Sequence, residues 1–297
     1  MVEQNNVLET AYAKINLYLD ITGRLDRGFH AVTTVLQTVS LYDEITVSDI
    51  REAETTSFEL TCDVGSVPTD STNLAHRAAV MFCEAAGVSL CGKIAIRKNI
   101  PMEAGMAGGS TDGAAVLRGL NRALGSPLSL SELCAIGSQL GSDVPFCIVG
   151  GTSYADGKGD ILHSFPKMPD CTLVIACEGE GVSAPWAYRL LDGIYDGFGE
   201  TCEHAACGVD RLRSSLENDD IKGVSEALYN IFEEPVLEKR PVAARVRKLM
   251  LEGGALAAMM SGSGPAVFGI FACDKCAARA SELLRRSGYT PYICKPI

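Results

Sequence analysis

The chain has 297 residues, 47% of them hydrophobic, which is long enough for two ordinary domains. A net charge of −11 argues against a surface for nucleic acid or an anionic membrane, because both need a positive footprint, and no apolar run is long enough to span a bilayer. The opening MVEQNNVLET lacks the basic and apolar regions of a signal peptide, and the 12 cysteines are dispersed, so a cytoplasmic protein with reduced, mostly buried thiols is expected.

The first predicted element is a strand from Thr10. Ala11, Ala13, Ile15, Leu17, Leu19 and Ile21 alternate with Tyr12, Lys14, Asn16, Tyr18 and Asp20, the pattern of a half-buried strand. Its period of two sets Lys14 beside Asn16 on the polar face, where a charge and an amide meet either a ligand or solvent. A charged, Gly-containing turn leads to Phe29 and His30, a flat surface with a polar edge of the kind that stacks on a base. The β-branched stretch from Thr33 to Val47 is a second strand, and SFELTCDV a third. Asn73 then opens a helical run, LAHRAAVMFCEAA, that Gly87 stops.

CGKIAIRKNIP is the next strand, and it delivers the chain into PMEAGMAGGSTDGAAVLRGLNRAL. Glycines 105, 108 and 109 tolerate positive φ and close approach of a ligand, and Leu117, Leu120 and Leu124 mark the apolar stripe of a following helix. A helix N-terminus exposed in this way suits an anion, above all a phosphate. No Lys follows Gly109, so the loop is not a P-loop, and its glycines are out of order for a dinucleotide fingerprint. The alternative at this point is an ordinary Gly-rich turn before a helix capped by Ser110.

Ser129 and Glu132 have capping-box spacing before a helix that ends at Gly141. Asp143 follows, set between that helix end and Pro145, either projecting rigidly from the scaffold or capping what comes next. PFCIVGGTSYADGKGDIL resembles a hairpin with turns at Gly150-Gly151 and Asp156-Gly157. Two prolines near Pro166 place a domain boundary there, giving domains 1–166 and 167–297. The second half reads as a strand (Cys171 to Cys177), helices through Leu251, two strands around Met260-Ser-Gly-Ser-Gly-Pro265, a helix (Lys275 to Arg286) and a last strand. That is the order of a ferredoxin-like split βαβ, and its Gly-rich turn could close on the first. Neither Cys273–Cys276 nor Cys202, His204 and Cys207 has the second half of a zinc ribbon, so no structural metal is expected, and no redox role for Cys273 and Cys276.

With Lys14, Phe29-His30, the Gly-rich loop, Ser142-Asp143-Val-Pro-Phe146 and Met260-Ser-Gly-Ser-Gly264 in this order, the chain resembles the GHMP small-molecule kinases from about Ala11 to about Phe271. The resemblance implies an α+β, two-domain fold: an N-terminal ATP-binding domain like ribosomal protein S5 domain 2, a ferredoxin-like C-terminal substrate-binding domain, and an active site in the cleft between them. AKINL, RGFH and SDVPF point within the superfamily to the branch that phosphorylates the 2-hydroxyl of a cytidine-diphosphate-linked methylerythritol in non-mevalonate isoprenoid synthesis. ATP is then a co-substrate, Mg²⁺ accompanies it, and the partner is a small molecule; the oligomeric state is left open between monomer and weak homodimer.

The resemblance assigns roles residue by residue. Asp143 is the catalytic base, and Lys14 the cation near it that steadies the nucleophile and the moving phosphoryl group. Pro101, Met102, Glu103, Ala104, Gly105, Met106, Ala107, Gly108, Gly109, Ser110 and Thr111 form the ATP-phosphate cradle, with Asn73 near the adenine. The resemblance does not assign the Mg²⁺ ligands; Ser110, Thr111 and Asp112 are candidates only because they lie close in sequence to that cradle. Asn16, Phe29, His30 and Tyr188 hold the acceptor, an aromatic pair sandwiching the cytosine. Phe29, Ala184, Ala107 and Gly113 depart from the family's usual Tyr, Thr, Gly and Ala. Two rival readings are another GHMP kinase, acting on mevalonate or homoserine, and a nucleotide-binding protein without transfer activity.

Overall fold

A computed structural model describes residues 5–195 and 202–297. In chain order the elements are β1 (Val7–Arg24), β2 (His30–Glu52), β3 (Ser57–Cys62), α1 (Leu74–Ala86), β4 (Leu90–Arg97), α2 (Gly108–Ala123), α3 (Leu130–Leu140), α4 (Val144–Val149), β5 (Thr152–Asp156), β6 (Ile161–Ser164), β7 (Thr172–Ala176), α5 (Ala184–Asp192), α6 (Cys202–Glu217), α7 (Ile221–Glu226), β8 (Tyr229–Asn230), α8 (Glu233–Lys239), α9 (Pro241–Glu252), β9 (Ala257–Met260), β10 (Val267–Phe271), α10 (Asp274–Arg286) and β11 (Pro291–Cys294). The chain divides into two compact units, and β1 and β2 are long enough to contribute to both.

The first unit takes the chain up to Ala13, Leu41–Ile100 and Ala107–Gly150. Here β2 pairs antiparallel with β4, and β3 lies parallel to β4 on its other side. Ile45 and Val47 of β2, Ile94 and Ile96 of β4 and the apolar stripes of α1 to α4 share one core, with Phe82, Leu117 and Leu120 fully buried. The predicted caps are present. Gly87 ends α1 in the left-handed region at φ 66°, and Ser129 and Glu132 close a complete capping box on α3.

Two expectations change in this unit. PFCIV is not a strand of a hairpin: it forms α4, started by Pro145 in the first turn, where a missing N–H costs nothing. It buries Val144, Pro145, Phe146 and Ile148. The helix after the Gly-rich loop starts at Gly108, and its N-cap is Ala107 rather than Ser110.

The second unit takes Lys14–Ser40, Pro101–Met106 and Gly151–Ile297. One sheet runs β8-β1-β2-β5-β6, with β8 parallel to β1 at Tyr18 and Leu19 and the expected β5–β6 hairpin on β2. The other runs β11-β7-β10-β9, every pair antiparallel, which is the strand order of the ferredoxin-like split βαβ. Val246 and Met250 of α9 and Ala280 and Leu284 of α10 cover it, together with Val174 and Phe271 from the strands.

The alternation of β1 does not translate into a half-buried strand in this unit: every residue from Ala13 to Ile21 is buried. Leu19 and Ile21 join a core with Val32 and Phe232, while Tyr18 on the other face lies against the ring of Tyr229 and the backbone of Gly208 in α6. The polar residues of that face are therefore enclosed and must find partners. The Cys202, His204 and Cys207 cluster lies outside the described side chains.

Candidate active site

In the first unit the site begins where α2 starts. Ala107 sits in the left-handed region (φ 59°, ψ 29°) and turns the chain so that Gly108, Gly109 and Ser110 occupy the first helical turn. Helix geometry leaves their N–H groups without acceptors one turn back, at the positive end of the dipole. The N–H of Thr111 reaches the carbonyl of Ala107 at 2.8 Å, and the Thr111 hydroxyl donates to the Tyr12 carbonyl at 2.8 Å, tying the turn to β1. Gly109 and Gly113 pack against Leu74, so Asn73, the N-cap of α1, lies beside this turn. Its side chain accepts from Ala75 N–H and donates to the Pro68 carbonyl.

Beneath the turn is a buried charge cluster. The Lys98 ammonium lies between Asp43 and Asp112, 2.8 Å from the latter. Asp43 also accepts the N–H groups of Asn99 (2.5 Å) and Ile100 (2.8 Å), so it fixes the chain as it enters the Gly-rich segment. Burial pulls the Lys98 ammonium down, but Asp112 and Asp43 outweigh it and hold its pKa above the usual lysine value. Burial first, and the charge of Asp43 after it, push the Asp112 carboxyl up to about 7. One cation serves two carboxyls, and the second keeps its proton longer.

Asp143 stands at the N-cap position of α4 but makes no side-chain capping bond, so the capping alternative is not the one realised. The α3–α4 turn that carries it passes close to α2: Cβ at Gly141 would lie 4.0 Å from the Ser110 hydroxyl oxygen. Arg118 of α2 secures α4, donating to the Cys147 carbonyl at 2.6 Å and to the Thr10 carbonyl at 2.9 Å, with Glu9 beside it.

In the second unit Lys14 is 4% exposed and donates to the Asn16 amide oxygen at 2.7 Å. The Asn16 amide nitrogen donates in turn to the Thr34 hydroxyl at 2.9 Å, and that hydroxyl donates to the Tyr18 carbonyl. This relay fixes which way each group points. The solvated reading of the Lys14 face is thus wrong for this strand: the ammonium is enclosed, which strengthens any charge it presents. The loop 101–106 lies alongside, with Lys14 N–H donating to the Met106 carbonyl at 3.3 Å.

The second Gly-rich loop closes on the first, as the sequence allowed. Ser261 Oγ donates to the Gly105 carbonyl at 3.1 Å, and Ala266 N–H reaches the Ala104 carbonyl. Gly105 has φ 75°, and a Cβ there would lie 2.1 Å from the Ser261 carbonyl oxygen, so the close approach itself requires glycine. A Cβ at Gly262 would lie 3.3 Å from Lys14 Nζ.

His30, Tyr188 and Asp192 form a separate group in this unit. The rings of His30 and Tyr188 stack at 4.8 Å and 23°, Phe232 packs edge-on against Tyr188, and His30 Nε2 is 2.9 Å from Asp192 Oδ1. Phe29 does not share a flat surface with His30. It is 53% exposed with Lys158 Nζ over its ring, because consecutive residues of extended chain point to opposite sides.

The structure thus gathers Lys14 and Asn16 with loop 101–106, sets Asn73 and Ser110 beside the start of α2, and pairs His30 with Tyr188. Phe29 stays apart from that pair. Thr34, Asp192 and Arg118 carry no motif that marks them in the sequence, whereas Asp43 is marked by its place on an otherwise apolar strand face. Of the three Mg²⁺ candidates, Thr111 and Asp112 are engaged as described, and no group of three His, Cys, Asp or Glu among the described residues could hold a metal ion.

Comparison with known proteins bears on this arrangement. The model of the GHMP kinases N terminal domain matches residues 73–151, and that of the GHMP kinases C terminal matches 212–289. A 4-diphosphocytidyl-2-C-methyl-D-erythritol kinase of Caldicellulosiruptor saccharolyticus is 40% identical over 93% of this chain and 91% of its own; one of Clostridium perfringens is 39% identical over 93% and 92%. A crystal structure of 4-(cytidine 5'-diphospho)-2C-methyl-D-erythritol kinase superposes with a TM-score of 0.77 at 29% identity, covering 97% of this chain and 98% of that one. The homoserine kinase of Cytophaga hutchinsonii, at 18% identity, shares the fold with a TM-score of 0.75. The chain belongs to the GHMP kinases and has their two-domain fold of mixed α/β content.

Proposed function

We propose that this chain is the ATP-dependent kinase that phosphorylates the 2-hydroxyl of 4-diphosphocytidyl-2-C-methyl-D-erythritol in the non-mevalonate isoprenoid route. The observation that carries the choice of acceptor is the identity of about 40% to kinases of that name over 93% of the chain. Mevalonate and homoserine kinases share only the fold, at 13% and 18% identity.

The geometry supports the chemistry that such a step needs. Phosphoryl transfer is catalysed mainly by positioning and by stabilising charge on the moving group. The N–H groups of Gly108 to Ser110 donate to ATP phosphate oxygens, and loop 101–106, stiffened by the 261–264 loop, holds the rest of the cradle. Lys14, steered by Asn16 and Thr34, supplies the cation that stabilises charge on the phosphoryl group and alkoxide. Asp143, on a helix start that it does not cap, orients the hydroxyl and takes its proton. His30 and Tyr188 recognise the cytosine by hydrogen bonding and stacking, Phe29 offers a further ring, and Asn73 sits on the adenine side. Mg²⁺ arrives with the nucleotide, held mainly by phosphate oxygens, since the side chains after the loop do not preform a cage. We assign ATP binding to the half ending at 166 and a substrate-binding role to 167–297, whose Tyr188 meets the acceptor together with residues of the first half, in a cytoplasmic enzyme that needs neither nucleic acid nor membrane.

The test is ADP release by the purified protein with ATP and Mg²⁺ in the presence of the cytidylyl substrate, mevalonate or homoserine. Turnover with the first alone supports the assignment. ADP release with mevalonate or homoserine instead would move the protein to another branch, and release with none would leave a nucleotide-binding protein.

A further inference from the structure

Most of the described cysteines are at least partly shielded. Cys83, Cys171 and Cys294 are buried, and burial pushes the thiols of Cys171 and Cys177 up to about 12. Against the expectation of mostly buried thiols, Cys62, Cys91, Cys134, Cys147, Cys177 and Cys276 are half-buried and Cys273 is exposed, at the junction where β10 hands the chain to α10. The sequence pattern starts that helix at Lys275, which leaves Cys273 in the loop before it. In the structure α10 begins at Asp274, and Cys273 is its N-cap, with Sγ accepting the Cys276 N–H at 3.4 Å. The two sulfurs are 2.9 Å apart and unbonded.

We propose that Cys273 and Cys276 are a solvent-facing dithiol that exchanges with low-molecular-weight disulfides of the glutathione class, Cys273 attacking and Cys276 resolving. Three features separate the roles. Cys273 is exposed and Cys276 half-buried, so only the first meets an incoming disulfide in full. The N–H groups that face Cys273 Sγ stabilise its thiolate, as helix starts do. The neighbouring acid Asp274 is engaged by Lys295 at 2.8 Å and by the Thr172 hydroxyl, which blunts its repulsion of that thiolate, and Arg279 is a cation close to Cys276. In keeping with this, the thiol of Cys276 first and its N–H next lower the pKa of Cys273, while that of Cys276 is raised by the hydrogen bond to Cys273.

The exchange balances without a further reactant. The Cys273 thiolate attacks one sulfur of the disulfide, forming a mixed disulfide and releasing one thiolate, which takes a proton from solvent. Cys276 loses its proton and attacks Cys273 Sγ, forming the intramolecular disulfide and releasing the second thiol. The protein dithiol loses two electrons and the small disulfide gains them.

The experiment is to incubate the intact native protein with oxidised glutathione and follow it by intact mass and peptide mapping. A peptide linked through Cys273 and Cys276 should form about tenfold faster than an adduct at any other cysteine. Cys276→Ser should trap glutathione on Cys273, and Cys273→Ser should slow adduct formation at Cys276 about tenfold. Oxidation spread evenly over Cys62, Cys91 and Cys134, or a Cys273→Ser protein that reacts as fast as the parent, would overturn the proposal. The unsubstituted protein reads the same pair, so the outcome does not depend on either variant folding.

Discussion

The proposed phosphate side and the proposed cytosine side of this kinase are prepared in different ways. Among the residues proposed for phosphate the backbone is already set: in one unit Ala107 holds positive φ and the first turn of α2 presents its N–H groups, and in the other Gly105 holds positive φ and is locked to Ser261. On the cytosine side the side chains are engaged with one another, His30 with Asp192 and with the ring of Tyr188. Backbone donors recognise any phosphate and can be preformed, whereas a base must displace contacts that the side chains already make. On the proposed assignment, the nucleotide is met by preformed backbone donors, and acceptor selection is where binding energy goes into rearrangement.

Four substitutions break or sharpen that contrast. The largest effect is expected from Asp143→Asn, which should lower kcat by roughly 10²- to 10⁴-fold with little change in the KM for ATP; steady-state kinetics decide it, and a variant with near-normal kcat would remove Asp143 from the mechanism. Gly105→Ala places a methyl 2.1 Å from the Ser261 carbonyl in a left-handed residue, so urea denaturation should show a loss of roughly 1–3 kcal/mol together with weaker ATP binding. Unchanged stability would mean that the two loops are not locked. His30→Ala should raise the KM for the cytidylyl substrate by roughly 5- to 100-fold and spare the Kd for ATP, since stacking contacts with a base are worth about 1–3 kcal/mol. Equal loss of both would end the division between the two sides.

The smallest effect concerns pH. The folded pKa of Asp112 is raised from 3.8 to about 7, so the unfolded chain ionises before the folded one does. Its contribution to stability is therefore undiminished below about pH 4, declines as pH rises toward 7, and is level above that. Asp112→Asn should flatten this slope, so that its stability relative to the parent improves between pH 4 and pH 7 in denaturant melts. A parallel pair of curves would contradict the assignment.

Much of this is legible in the chain. The strand order of the ferredoxin-like half follows from apolar runs and turn residues alone, and the Gly87 stop and the Ser129–Glu132 capping box have local causes. The errors arise where tertiary contacts overrule local pattern. The strand of Lys14 reads as half-buried because it alternates, its polar face left to a ligand or solvent, yet Lys14 is enclosed, with loops 101–106 and 261–264 against it. VPFCIV reads as a strand because six residues are too few to separate the two periods. Asp43 does leave a signal: it lies on the same strand face as Leu41 and Ile45, so period two places a carboxylate in the core, where it must have a cation. Asp192, by contrast, meets His30 across 162 positions, and no pattern in either segment announces it.

The most direct test of the account is the identity of the product. Phosphorus NMR of a reaction containing ATP, Mg²⁺ and 4-diphosphocytidyl-2-C-methyl-D-erythritol should show one new phosphomonoester on the 2-hydroxyl for every ADP formed. ADP without that phosphomonoester, or no ADP at all, would contradict it.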